Sequence, residues 1–232
     1  VICGLTLEGE VVCWGGETYL NEFNPPKGPF VDFSLGHRQG YAMRADGTIA
    51  AWGDNAWIPH EYRTKAFAKL TNGPCALDSG GQLHCFTSGI AEPVTELTFA
   101  RVSLGNFRCG EKLNGLVHCW GGNPEIPTTP PNEPLWSVTV AENHACGLRA
   151  NGTAVCWGDN YYRQLDAPNV RFRTIDAGSV QTCGIGLDGR LHCWGTDMIG
   201  LQLAGRYVAV EVGGYINCAL RSDGTAECIG SP

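Results

Sequence analysis

The sequence is short of charge, of methionine and of long apolar runs, and each shortage excludes something. Only 17% of its 232 residues are charged against 43% hydrophobic, too apolar a balance for a disordered polymer. Sixteen Lys and Arg stand against 23 Asp and Glu, a formal charge of −7. Without a basic cluster there is no electrostatic footprint for nucleic acid, and polyanionic partners are disfavoured. No run approaches the roughly 18 apolar residues of a membrane span, so no insertion by this segment is expected. Val1-Ile2-Cys3 already lies inside the repeating pattern and does not read as a signal peptide. Two methionines and scattered leucines build no stripe of helical period, which leaves an all-β reading. A nucleophile elbow, a zinc-protease helix and a unique segment with paired carboxylates are missing too. The expectation is a non-enzyme with no catalytic residues, no cofactor and no metal.

Cysteine and glycine are what the chain has in quantity. The twelve cysteines lie at 3 and 13, 75 and 85, 109 and 119, 146 and 156, 183 and 193, 218 and 228, every pair ten positions apart. A seventh copy without cysteine runs from Tyr41 to Gly53, with Tyr41 and Ala51 at the two cysteine positions. Each copy has glycine six positions after the first cysteine position: Gly9, Gly47, Gly81, Gly115, Gly152, Gly189 and Gly224. A three-residue hairpin loop ending in a left-handed glycine fits that placement. It sets the first and eleventh positions directly opposite, so the cysteines of each pair face one another and Tyr41 faces Ala51.

A further strand recurs between hairpins, as Phe30 to Gly36, Phe99 to Gly105, Phe172 to Gly178 and Tyr207 to Gly213, with weaker versions at Ala66 to Leu70 and Leu135 to Val140. One such strand, a hairpin and a short outer segment make a four-stranded blade. The expected fold is a seven-bladed β-propeller with six within-blade disulfides. Its repeats cover 1–36, 37–70, 71–105, 106–141, 142–178, 179–213 and 214–232 of one domain, and one blade lacks its inner strand. That strand is trimmed or comes from another segment or chain, which makes like subunits candidate partners.

Even cysteines at fixed spacing mean disulfides in a secreted protein and metal or redox sites in a cytosolic one. Zinc usually takes closely spaced cysteine knuckles, whereas these hairpins bring together two thiols each, which favours disulfides. The pairs are then Cys3–Cys13, Cys75–Cys85, Cys109–Cys119, Cys146–Cys156, Cys183–Cys193 and Cys218–Cys228, each contributing roughly 2–3 kcal/mol on the chain-entropy account. A secreted or cell-surface location follows.

The segments Asn143-His144-Ala145-Cys146-Gly147-Leu148 and Cys156-Trp157-Gly158-Asp159-Asn160, continued by Gln164-Leu165, resemble the regulator-of-chromosome-condensation repeat. Cys183-Gly184-Ile185 with Asp188-Gly189 and Leu191-His192-Cys193-Trp194-Gly195 is similar. Six cysteine-bearing copies look like the extracellular form of the repeat, found in bacterial secreted proteins and in plant Crinkly-type receptor ectodomains. The nuclear nucleotide-exchange activity that names the family is not expected of an acidic, cysteine-paired chain. The resemblance to the propeller-type β-lactamase inhibitory protein implies binding through loops after the inner strand's glycine. Here those loops supply Arg38, Phe107, Arg108, Asn143, Val180 and Tyr215 as candidate contacts to a protein partner.

Trp14, Trp52, Trp120, Trp157 and Trp194 follow the second cysteine position, where an aromatic fills space between blades; Phe86 and Ile229 take the same place. Trp57, Tyr62, Tyr161 and Tyr162 fall off the repeat and are the candidates for a glycan or protein contact. His84, His118 and His192 belong to different blades and form no shared metal site. Asn151-Gly152-Thr153 is a glycosylation acceptor sequence that coincides with a hairpin turn. Three functions fit: a secreted scaffold for a protein partner, a lectin, or a structural subunit of a fibre or surface layer.

Overall fold

The computed structural model describes residues 2–14, 24–36, 39–54, 56–86, 97–195, 203–214 and 216–230. These form seven antiparallel sheets, with one 3-10 turn at His60–Tyr62. The chain divides into two compact units, Val1–Arg101 and Val102–Pro232. In the first unit, sheet one is β1 (Ile2–Leu5) and β2 (Val11–Trp14). Sheet two is β3 (Asp32–Gly36), β4 (Gln39–Met43) and β5 (Ile49–Gly53); sheet three is β6 (Lys69–Leu70), β7 (Cys75–Leu77) and β8 (Leu83–Cys85). Apart from Arg101, the second unit holds the rest. Sheet four is β9 (Arg101–Leu104), β10 (Arg108–Glu111) and β11 (Val117–Trp120); sheet five is β12 (Trp136–Val140), β13 (His144–Leu148) and β14 (Ala154–Gly158). Sheet six is β15 (Phe172–Ala177), β16 (Gln181–Gly186) and β17 (Leu191–Gly195), and sheet seven is β18 (Ala209–Val212), β19 (Ile216–Leu220) and β20 (Ala226–Gly230).

The hairpins have the expected register. Cys3 pairs with Cys13, Cys146 with Cys156 and Tyr41 with Ala51. All six disulfides are formed and no cysteine is free. In the second sheet, Arg44 N donates to Thr48 O at 2.9 Å and Gly47 N to Arg44 O at 2.9 Å, which closes a loop of residues 45–47. Gly47 has φ of 82°, and a Cβ there would lie 2.6 Å from the Phe67 carbonyl oxygen. Both the left-handed backbone and the close approach therefore require glycine.

That approach also joins neighbouring sheets. Phe30 N donates to Gly9 O, Phe67 N to Gly47 O, Phe99 N to Gly81 O, Leu135 N to Gly115 O, Phe172 N to Gly152 O and Tyr207 N to Gly189 O, all within 2.9 Å. Each of these six hairpin tips thus docks the large apolar residue that leads into the next sheet, and all six of those residues are buried. Burying such a side chain contributes roughly 1.5–3 kcal/mol. The residue after the second cysteine position completes the packing. Phe86 joins Tyr41 and Met43, Trp157 joins Phe107 and Cys109, and Trp194 joins Cys146 and Leu148, in each case reaching residues of the preceding sheet. Trp14 differs, being 44% exposed.

Among the described residues six sheets have three strands and the first has two, not the four expected. After β11 the outer segment carries Pro124, Pro127, Pro130, Pro131 and Pro134, which donate no ladder hydrogen bond. After β14 the outer segment closes on its own side chains instead. Sheet one has two strands, and Cys3 in β1 is half-buried where Cys75, Cys109, Cys146 and Cys183 are fully buried.

Candidate functional site

In the second unit, the turns joining the first strand of each sheet to its second lie side by side. Gly105 N bonds to Phe107 O, Ala141 N to His144 O, Gly178 N to Gln181 O and Gly213 N to Ile216 O, each at 2.9 Å. A Cβ on Gly105 would lie 2.1 Å from Ala141 O, and one on Gly178 would lie 2.3 Å from Gly213 O. Backbone therefore meets backbone where one turn abuts the next. Ser179 Oγ donates to Glu142 Oε1 at 2.8 Å, which ties the fifth and sixth turns together at their surface.

Beneath them runs a repeated contact. The residue two before the first cysteine reaches the residue one before the cysteine in the following sheet. His144 Nε2 lies 2.8 Å from Thr182 Oγ1, Gln181 Nε2 donates to Asn217 Oδ1 at 3.0 Å, and Phe107 packs with Ala145. Phe107 occupies this inter-sheet position and is only 1% exposed. The expectation that it anchors a partner is corrected: its ring is spent in the core. The outward position is one residue earlier, where Asn106 is exposed and Asn143 and Val180 are half-buried. Counting back three from the first cysteine finds all three, a signal the sequence contained. Arg108 is half-buried, and its guanidinium lies against Gly121. Arg38 and Tyr215 have the same offset in the sequence repeat and lie outside the described residues.

The first strands add a ladder that sequence reasoning missed. Val140 N donates to Ser103 Oγ at 2.9 Å, Ala177 N to Thr139 Oγ1 at 3.1 Å and Val212 N to Asp176 Oδ2 at 2.6 Å. Each polar side chain accepts from the strand of the following sheet. Thr139, Asp176 and Glu211 stand opposite Cys146, Cys183 and Cys218, so a polar residue facing the first cysteine was the available clue.

Charge in this layer is held in unusual states. Burial pushes the Asp176 carboxyl up, opposed by hydrogen bonds from Val212 N, Thr139 Oγ1 and Ala177 N. Glu211 is open to solvent on one side but closely walled by protein, and accepts no hydrogen bond among the described residues. Desolvation and then the neighbouring Asp176 raise it to about 7. Burial lowers His144 to about 4, against a weaker pull from Asp159, so the imidazole is neutral at pH 7.

The off-repeat aromatics divide. Tyr62 is half-buried and packs edge-on against Phe67, His84 and Phe86, so it is no free glycan platform and that expectation is corrected. Its apolar neighbours outcompete solvent for the ring. Trp57 is 54% exposed, Tyr161 81% and Tyr162 46%. His84 is engaged by Asp78 at 2.8 Å and Lys65 at 2.9 Å, while His118 stacks on Trp120. Among the described residues no three His, Cys, Asp or Glu side chains group as a metal site.

Residues 138–164 match the family model of the regulator of chromosome condensation (RCC1) repeat. The fold is similar to the entire ectodomain of the Physcomitrella patens receptor kinase CR4, with TM-score 0.84 and 24% identity over 99% of this chain and 69% of that one. The CRINKLY WD40 ectodomain of the Arabidopsis thaliana receptor kinase ACR4 matches at TM-score 0.81 and 20% identity, over 98% of this chain and 90% of that one. Yeast RCC1 (Prp20), solved bound to Kap60, matches at TM-score 0.68 and 16% identity, over 87% and 70%. No curated protein matches the chain in sequence. These likenesses establish the fold, a seven-bladed β-propeller whose blades are the seven sheets, six of them carrying a disulfide.

Proposed function

We propose that this propeller, with its RCC1-type repeat at residues 138–164, is a non-catalytic extracellular scaffold that grips a protein partner through the turns around Asn106, Asn143 and Val180. The observation that carries the proposal is the row of adjoining turns. Their outward residues differ from sheet to sheet, whereas the residues beneath them are locked by His144–Thr182 and Gln181–Asn217. Varied side chains on a rigid base are what selective recognition needs, because little ordering entropy is lost on binding. The six disulfides suit an oxidising exterior. Yeast RCC1, a protein of similar fold, has been solved bound to another protein, Kap60.

The test is pull-down from the native extracellular medium with the wild-type chain and with the triple variant Asn106→Ala, Asn143→Ala, Val180→Asp. A partner retained by the first and lost by the second, at unchanged thermal stability, supports the proposal. Equal retention contradicts it. A second reading, assembly by strand addition, is favoured by the two-stranded first sheet, where β1 pairs with β2 alone among the described residues. Concentration-dependent polymerisation supports it; a species that stays monomeric over the accessible range refutes it.

A further inference from the structure

Beyond the turns lies the segment that follows β14. Tyr161 and Tyr162 are exposed neighbours whose rings meet edge to face, 4.9 Å between centroids at 85°. Arg163 beside them is exposed and holds φ at 63°, a left-handed backbone that residues with a Cβ avoid. Its guanidinium has no ion pair or hydrogen bond among the described residues.

The loop is fixed from below. Tyr161 N donates to Asp159 Oδ1, Tyr162 N to Gln164 Oε1 and Leu165 N to Asn160 Oδ1, at 2.8–3.2 Å. Gln164 is 1% exposed, and its carbonyl accepts the Trp194 indole N–H at 2.9 Å. The backbone that carries the two tyrosines and the arginine is thus held in place, and the side chains that face solvent are not the ones that hold the loop.

We infer that Tyr161, Tyr162 and Arg163 form a binding site for an acidic saccharide unit, a single sugar ring bearing a carboxylate. Three consecutive residues offer far less than the roughly 800 Å² per partner of a stable protein interface. They match the size of one or two sugar rings. Tilted at 85°, the pair offers an aromatic face for the C–H side of a pyranose and phenolic hydroxyls for its rim. Arg163 supplies the planar fork that a carboxylate accepts in two parallel hydrogen bonds. The chain's −7 charge opposes long polyanions, but at physiological salt its reach is about 8 Å, so a short acidic fragment meets mainly the local arginine. This inference goes beyond the protein-binding proposal and rests on different residues, so either can fail alone.

The experiment is calorimetric titration of the full chain with digalacturonic acid, its neutral dimethyl ester and the peptide Asp-Asp-Asp. The acid should bind, with the ester and the peptide at least about tenfold weaker. Tyr161→Ala and Arg163→Gln should each weaken the acid at least about tenfold while leaving the melting transition in place. Arg163→Gly should lose the acid equally and raise the melting temperature, since glycine adopts that backbone without strain. Absence of binding by the acid, an ester or peptide that binds as well, or binding that survives Tyr161→Ala or Arg163→Gln would overturn the assignment.

Discussion

His144 is fully buried, neutral and bonded to Thr182, so acid must charge it inside the protein. Its folded pKa of about 4 lies below the ordinary 6.5, so the unfolded chain binds the proton first as pH falls. The stabilisation is complete above about pH 6.5 and is lost as pH drops toward 4, a loss of about 3 kcal/mol. His144→Gln should remove this acid sensitivity and still fold, because Gln181 fills the same position in the next sheet and bonds Asn217. Melting temperature against pH for the two proteins checks it; parallel profiles would refute it. Glu211 has the opposite sign. Its folded value of about 7 exceeds the ordinary 4.5, so its contribution is present below about pH 4.5 and is lost as pH rises through 7. With the carboxyl open to screening, the loss is at most about 1 kcal/mol. Asp176→Asn removes the neighbouring charge, and the Glu211 carboxyl should then titrate lower by carbon-detected NMR.

Each hairpin was legible because its constraints are local: cysteines ten positions apart, with glycine at the sixth step, admit one loop length and one register. Tyr41 and Ala51 show that this register does not need a disulfide. Their replacement is informative. In Tyr41→Cys, Ala51→Cys a seventh bridge should form, worth roughly 2–3 kcal/mol, but the fully buried Tyr41 ring packs on Phe86 and its loss costs about 3–5 kcal/mol. The double variant should therefore be bridged yet less stable than wild type in denaturant titration; a bridged protein more stable than wild type would contradict the packing account. The connecting strands were less legible, since β6 has two residues and its pairing depends on tertiary packing. Phe107 was misread for the same reason. A phenylalanine in a turn looks like an exposed anchor until the neighbouring sheet, with Ala145 and Trp157, is placed against it. The ladder of Ser103, Thr139 and Asp176 joins residues 36 to 38 positions apart, which no short-range pattern reveals.

For the molecule as a whole, seven copies of one hairpin yield a regular scaffold, and function then belongs to the residues that break the regularity. Denaturing the unreduced chain in the presence of an alkylating reagent should add no label, and reduction first should add twelve, matching the six bridges. Labelling without reduction would undo both the disulfides and the inferred compartment. The central claim is that the turns of the second unit are the gripping surface. Site-specific photo-crosslinking in the native extracellular medium tests it most directly, with the reactive group at Val180 or, as control, at exposed Leu113 in a hairpin tip. The account predicts a discrete protein adduct from position 180 and none from 113; an adduct from 113 with none from 180 would contradict it.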